Sequence, residues 1–132
     1  MSKRALVVGS GGSWGAYDAK VLADLGRHLP RRHFDAIYAS SAGTFGSLFY
    51  AAGQSTCMEK VWRHDVVGRQ LVSWTNPLRG RNVLDLEYLV QLFQSDRGRL
   101  DIDQVFASGI KLVFAIARRE DNKVLYISPR PD

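Results

Sequence analysis

The chain has 132 residues, and its 45% apolar and 23% charged content is that of a folded globular domain, which excludes a disordered one. A net charge of +5, carried by 13 arginines against 5 lysines, is spread along the sequence and forms no basic block or known nucleic-acid-binding motif. No run approaches the roughly 18 apolar residues of a membrane span, Lys3-Arg4 precede too short an apolar run for a secretory leader, and the single cysteine, Cys57, excludes an internal disulfide and fits a reducing, cytoplasmic setting.

In chain order, Arg4 to Val8 reads as a buried strand bounded by Gly9. Gly15 to Leu25 reads as a helix with Ala19, Leu22 and Leu25 on one face and Gly26 as its stop. A basic loop from His28 to His33 precedes a second strand, Asp35 to Ala39, and a strongly apolar helix from Ala42 to Ala52 that Gly53 ends. Thr56 to His64 looks helical, Asn76 to Gly80 is a turn, Asp85 caps a helix over Leu86, Leu89, Val90 and Phe93, and Leu100 to Ser108 holds a short helix. Ile110 to Arg118 and Lys123 to Ser128 form a hairpin across Arg119-Glu120-Asp121-Asn122. The β-α-β-α order predicts an α/β fold: a mostly parallel sheet with helices on both faces, ending in an antiparallel hairpin, in one domain spanning 1–132.

Two turns carry the chemistry. After the first strand, Ser10-Gly11-Gly12-Ser13-Trp14-Gly15 offers backbone N–H groups at a helix start, the means of holding a developing oxyanion. After the second, Ala39-Ser40-Ser41-Ala42-Gly43 sets Ser41 among small residues, as a nucleophile on a strained turn requires. Sequential parallel strands neighbour each other, so the two turns meet at the carboxyl edge of the sheet. There the N–H of Ala42 points toward an acyl oxyanion formed at Ser41, with Gly11 and Gly12 as further donors. The spacing rejects two nucleotide readings: a dinucleotide fingerprint needs a glycine at Trp14, and no Lys-Ser/Thr follows the glycines.

The segment from Leu6 to Gly53 resembles the patatin-like lipid acyl hydrolases, whose pattern is a strand, a Gly-Gly-Gly-x-Arg-Gly oxyanion loop, a helix and a Gly-x-Ser-x-Gly elbow. Trp14-Gly15-Ala16-Tyr17 with Val21-Leu22, and Phe34-Asp35 leading to Ser41-Ala42-Gly43-Thr44, follow it, and the similarity continues through Asn76-Pro77-Leu78 and Arg81 to Leu86 into the hairpin. It looks most like a bacterial branch. The resemblance implies cleavage of lipid acyl esters by a Ser-Asp dyad without histidine, cofactor or metal. Ser41 matches the nucleophile, Gly11 and Gly12 part of the oxyanion loop, and Ala39 and Gly43 the flanks of the elbow.

Three departures stand against the pattern. Trp14 takes the place of the loop arginine and Ser10 that of its first glycine. Ala39 replaces the first elbow glycine, costing roughly 1 kcal/mol if that position needs an unusual backbone angle. The family's aspartate belongs to an Asp-Gly motif beyond the hairpin, and this sequence has no Asp-Gly pair; Asp132 matches nothing. Either the chain is the N-terminal portion of the family domain or it is a shortened relative that no longer catalyses. The histidines offer no substitute base: His28 and His33 precede the second strand, at the sheet edge opposite Ser41, and His64 follows a helix. These three and Cys57 show no metal-ligand spacing.

The expected partner is therefore a lipid or acyl-ester substrate, with the scattered arginines either a solvated surface or a means of peripheral contact with an anionic membrane, and with no nucleic acid. Phe45, Phe49 and Tyr50 read as core or as an acyl-binding wall, and Trp62, Trp74 and Leu71-Val72 as core or as a lipid-facing patch. The expected function is a patatin-like serine acyl hydrolase, inactive as this 132-residue chain; the alternative is a non-catalytic lipid- or protein-binding module. Oligomeric state and the lipid cleaved stay open.

Overall fold

The computed structural model describes residues 3–9, 11–66 and 70–129. The two short apolar runs before the serine form strands β1 (Ala5–Val8) and β2 (Ala36–Ser40), and the C-terminal alternating segments form β3 (Lys111–Ala117) and β4 (Val124–Ile127). They make one sheet in the order β1-β2-β3-β4. β1, β2 and β3 are parallel, with Val7 opposite Tyr38 and Tyr38 opposite Val113, and β4 runs antiparallel to β3 with Ala115 opposite Tyr126. The serine turn thus follows a strand paired on both sides.

Helices α1 (Gly15–His28), α2 (Ala42–Ala51) and α5 (Ile102–Ala107) lie against the sheet. Their residues Leu22, Tyr50, Ala51 and Val105 share a core with Val8, Ile37, Ala39, Leu112 and Phe114. Helices α3 (Ser55–His64) and α4 (Leu86–Gln94) form an outer layer, where Met58, Val61, Trp62, Leu89, Leu92 and Phe93 pack around Phe49.

Helices on both faces were expected from the β-α-β-α order, and the described residues correct this: the helical core meets one face only. On the other face Val7 is 76% and Tyr126 72% exposed, with Tyr38 and Val124 exposed beside them. Right-handed crossovers that step in one direction across a sheet place every connection on the same side, and a second layer needs the strand order to reverse. Between β1 and β3 it never does.

Local chemistry explains the remaining boundaries. Gly26 does not stop α1, which runs to His28. A Cβ on Gly26 would lie 3.2 Å from Ser55 Oγ, so this glycine serves a close helix approach. Asp85 and Asp101 cap α4 and α5, each accepting from the backbone N–H three residues on at 3.0 Å. The hairpin turns without glycine because Asn122 adopts φ 55° and Asp121 accepts two bonds from Arg118, at 2.8 and 2.5 Å. Two arginines of the basic loop are structural. Arg31 donates to the carbonyls of Ala51 (3.0 Å) and Gln104 (2.7 Å), and Arg32 to that of Ser108 (2.8 Å), satisfying the ends of α2 and α5.

Candidate functional site

β2 ends at Ser40, and Ser41 turns the chain into α2 with φ 51° and ψ −126°. A non-glycine residue rarely adopts a positive φ, at a cost of order 1–3 kcal/mol, and it persists only where its surroundings enforce it. Here Gly43 enforces it. A Cβ at that position would lie 2.6 Å from the carbonyl oxygen of Gly9 and 2.9 Å from that of Val8, so only glycine lets the first turn of α2 rest on the end of β1. Ser41 itself is exposed, at the N-terminus of a ten-residue helix whose first N–H groups have no intrahelical partner. Ala42 supplies the first of them.

The same contact joins the two turns, because Gly9 opens the glycine loop. Gly11 precedes a 3₁₀ turn (Gly12–Trp14), in which Trp14 N–H donates to Gly11 O at 2.8 Å and Gly12 takes φ 51°. Gly12 and Trp14 are exposed, Trp14 by 75%. Ser10, opposite the first glycine of the resembled loop, and Asp132 lie outside the described residues. Ala39 needs no unusual angle: it continues β2 in register with Val8 and Phe114, so the strain allowed for there does not arise.

Asp18 is the residue that sequence reasoning missed. It sits one turn into α1 and reaches back to the loop, so that a Cβ on Gly11 would fall 2.6 Å from its Oδ2. That oxygen is buried without a hydrogen-bond partner among the described residues, and burial pushes the carboxyl above its ordinary pKa. Trp62 Nε1, also buried and unpartnered, belongs to the ring that packs on Gly15. An acid in the first turn of a helix ordinarily signals only a partner for the helix dipole, so nothing in the sequence marked half-buried Asp18 as holding an oxygen out of water.

Among the described residues no histidine or carboxylate is hydrogen-bonded to Ser41. His33 Nδ1 faces Arg4 at 3.3 Å and its ring packs edge-on against Phe34, while His28 and His64 are exposed at the ends of α1 and α3. Among the described residues, too, no group of three or more His, Cys, Asp and Glu is gathered as for a metal ion, and no helix is long and apolar enough to cross a membrane. Phe49 and Tyr50 are core, as are Trp62 and Leu71, whereas Trp74 is exposed. An apolar groove of about 180 Å³ runs along the open sheet face between Val7, Tyr38, Val113 and Tyr126 and reaches Ser40.

Comparison with protein-family models, with curated proteins and with solved structures finds no match in any of the three. The likeness to the patatin-like hydrolases therefore rests on the motifs alone.

Proposed function

We propose that the chain carries the nucleophile and oxyanion half of a patatin-like lipid acyl hydrolase. Ser41 would be the group acylated, and the N–H groups of Gly11, Gly12 and Ala42 the oxyanion donors. The observation that carries this reading is the left-handed backbone of Ser41 at a strand-to-helix turn, held by Gly43 against the end of the neighbouring strand. A turn needing only small residues has no use for that strain.

A serine hydroxyl without a base is a weak nucleophile at neutral pH. With no base hydrogen-bonded to Ser41 among the described residues, the 132-residue chain is expected to turn over nitrophenyl esters poorly. The decisive experiment is intact-protein mass spectrometry after exposure to a fluorophosphonate, with wild type and Ser41→Ala side by side. One adduct, lost in the variant, supports an activated serine. No adduct on a folded chain favours the second reading, a non-catalytic lipid- or protein-binding module, to which the exposed Trp14 and the open apolar sheet face also lend support.

A further inference from the structure

Among the described residues, the two large apolar side chains most open to water share one loop: Leu78 is 88% and Trp74 83% exposed. The loop precedes α4 and is closed at its base. There Asp85 N–H donates to Leu71 O at 2.8 Å, Ser73 N–H donates to Val83 O at 2.9 Å, and Val72 bridges Leu84. Leu71 and Ser73 are buried, Leu71 in the outer-layer core with Trp62 and Leu89, while Val72 and Trp74 are exposed, as strand alternation requires. Beyond them every residue from 77 to 82 is exposed, so the tip stands clear of the fold.

The tip is nevertheless built. One turn of 3₁₀ helix (Asn76–Arg79) ends on Gly80 at φ 68°. Asn76 N–H donates to Ser73 O at 3.1 Å, Leu78 N–H to Thr75 O at 3.2 Å, Gly80 N–H to Pro77 O at 3.1 Å and Arg81 N–H to Asn76 O at 3.0 Å. Pro77 has no N–H to satisfy, and the Asn76 side chain donates to Asn82 O at 3.1 Å. A segment that leaves water for lipid must satisfy its own backbone, and these bonds do so in advance.

The charge around the tip has one sign. Between Asp65 and Asp85 the sequence holds Arg69, Arg79 and Arg81 and no acidic residue. Arg79 and Arg81 flank Gly80, both are exposed, and neither forms an ion pair among the described residues. The next acids, Asp85 and Glu87, stand at the root of the loop, where they line a cleft with Arg81 without pairing with it. Asp85 is engaged there as the cap of α4, accepting from Tyr88 N–H at 3.0 Å.

We propose that this loop docks the protein on an anionic lipid bilayer. Trp74 and Leu78 enter the boundary between headgroups and acyl chains, the level that tryptophan favours, and Arg79 and Arg81 reach the lipid phosphates on their long stems. A protein partner would read a groove, a strand edge or a helix face, and an outward tip held by one bridge and a single 3₁₀ turn offers none of them. A bilayer asks only for apolar depth and a basic collar. The inference goes beyond the acyl-hydrolase reading and does not depend on Ser41.

The test is flotation of the 132-residue chain with vesicles of phosphatidylcholine alone, or of equal parts phosphatidylcholine and phosphatidylglycerol. Wild type and Ser41→Ala are expected to float alike with the anionic vesicles, less so as salt is raised, and to stay behind with the neutral ones. Trp74→Ser combined with Leu78→Ser, and separately Arg79→Gln combined with Arg81→Gln, should each weaken the partition about tenfold or more. All four side chains are exposed, so both double variants should melt as wild type does, and the arginine pair decides should the other not fold. Tyr126→Ser, on the open sheet face, should float as wild type does. Wild type that floats with neither vesicle, or equally with both, overturns the proposal, and the first of these results would leave the tip to a protein partner. So does a folded double variant that floats as well as wild type, or a loss that Tyr126→Ser shares. A chain that floats but takes no fluorophosphonate counts against the serine reading only.

Discussion

The two strand-to-helix turns that meet at the sheet edge are built on opposite principles. At 40–43 the backbone is fixed by contact: Gly43 lies against the carbonyls of Val8 and Gly9, and Ser41 takes a left-handed angle that it would not choose alone. At 12–14 the chain is held by less. A side chain on Gly12 would meet nothing within 4 Å and Trp14 projects outward; the close contacts lie at the two ends, where Asp18 sits under Gly11 and the Trp62 ring rests on Gly15. A reactive group must be held still, whereas donors for a transient charge need only be near it. That difference separates a turn shaped by packing from one shaped by glycine freedom.

The comparison breaks most sharply at Gly43. Gly43→Ala sets a methyl group into two backbone carbonyls that cannot move aside, and overpacking of this kind is expected to cost about 3 kcal/mol, a fall in Tm on the order of 10 °C. Gly12→Ala in the other turn meets no atoms and costs only its positive φ, about 1 kcal/mol. Circular dichroism melts of the two variants give the contrast directly. Equal losses would mean that the close approach at Gly43 costs no more to fill than the positive φ of Gly12 costs to keep.

A smaller effect of opposite sign sharpens the same point. Ser41→Gly relieves the left-handed strain and should raise stability by about 1 kcal/mol, even after the extra freedom that glycine gives the unfolded chain. Ser41→Ala keeps the strain and should leave Tm nearly unchanged. A gain in Ser41→Gly that Ser41→Ala does not share would mark strain stored at this residue. Identical melts would place no strain there.

Much of this was legible from residues alone. The strands, the Asp85 cap and the order in which Ser41 follows β2 show in apolar runs and small-residue turns, because these are local choices. The hairpin was legible in the short polar connection between two strands, and the structure shows how it turns without glycine: Asn122 takes the positive φ. What escaped depends on what lies across the fold. The single helical layer follows from strand order, which no local pattern encodes. Gly26 reads as a helix stop until Ser55 is seen opposite it, and Tyr50 as plain core until its hydroxyl is found without an acceptor. Asp18 escaped for the same reason.

Asp18 gives the subtlest test of the looser turn. Burial raises its folded-state pKa, so proton uptake favours the folded chain: that stability is complete below the ordinary value of 3.8 and is lost as pH rises through the higher folded value. In its ionised form the carboxyl sets a charge beneath Gly11 whose buried Oδ2 has no partner among the described residues, and which opposes any negative charge forming at the loop. Asp18→Asn keeps the shape and drops the charge. Its Tm should exceed that of wild type by a few degrees at pH 7 and converge with it near pH 3, where both side chains are neutral. A difference that stays constant across that range would mean the carboxyl is satisfied in both charge states, and the first turn would then be as fully held as the second.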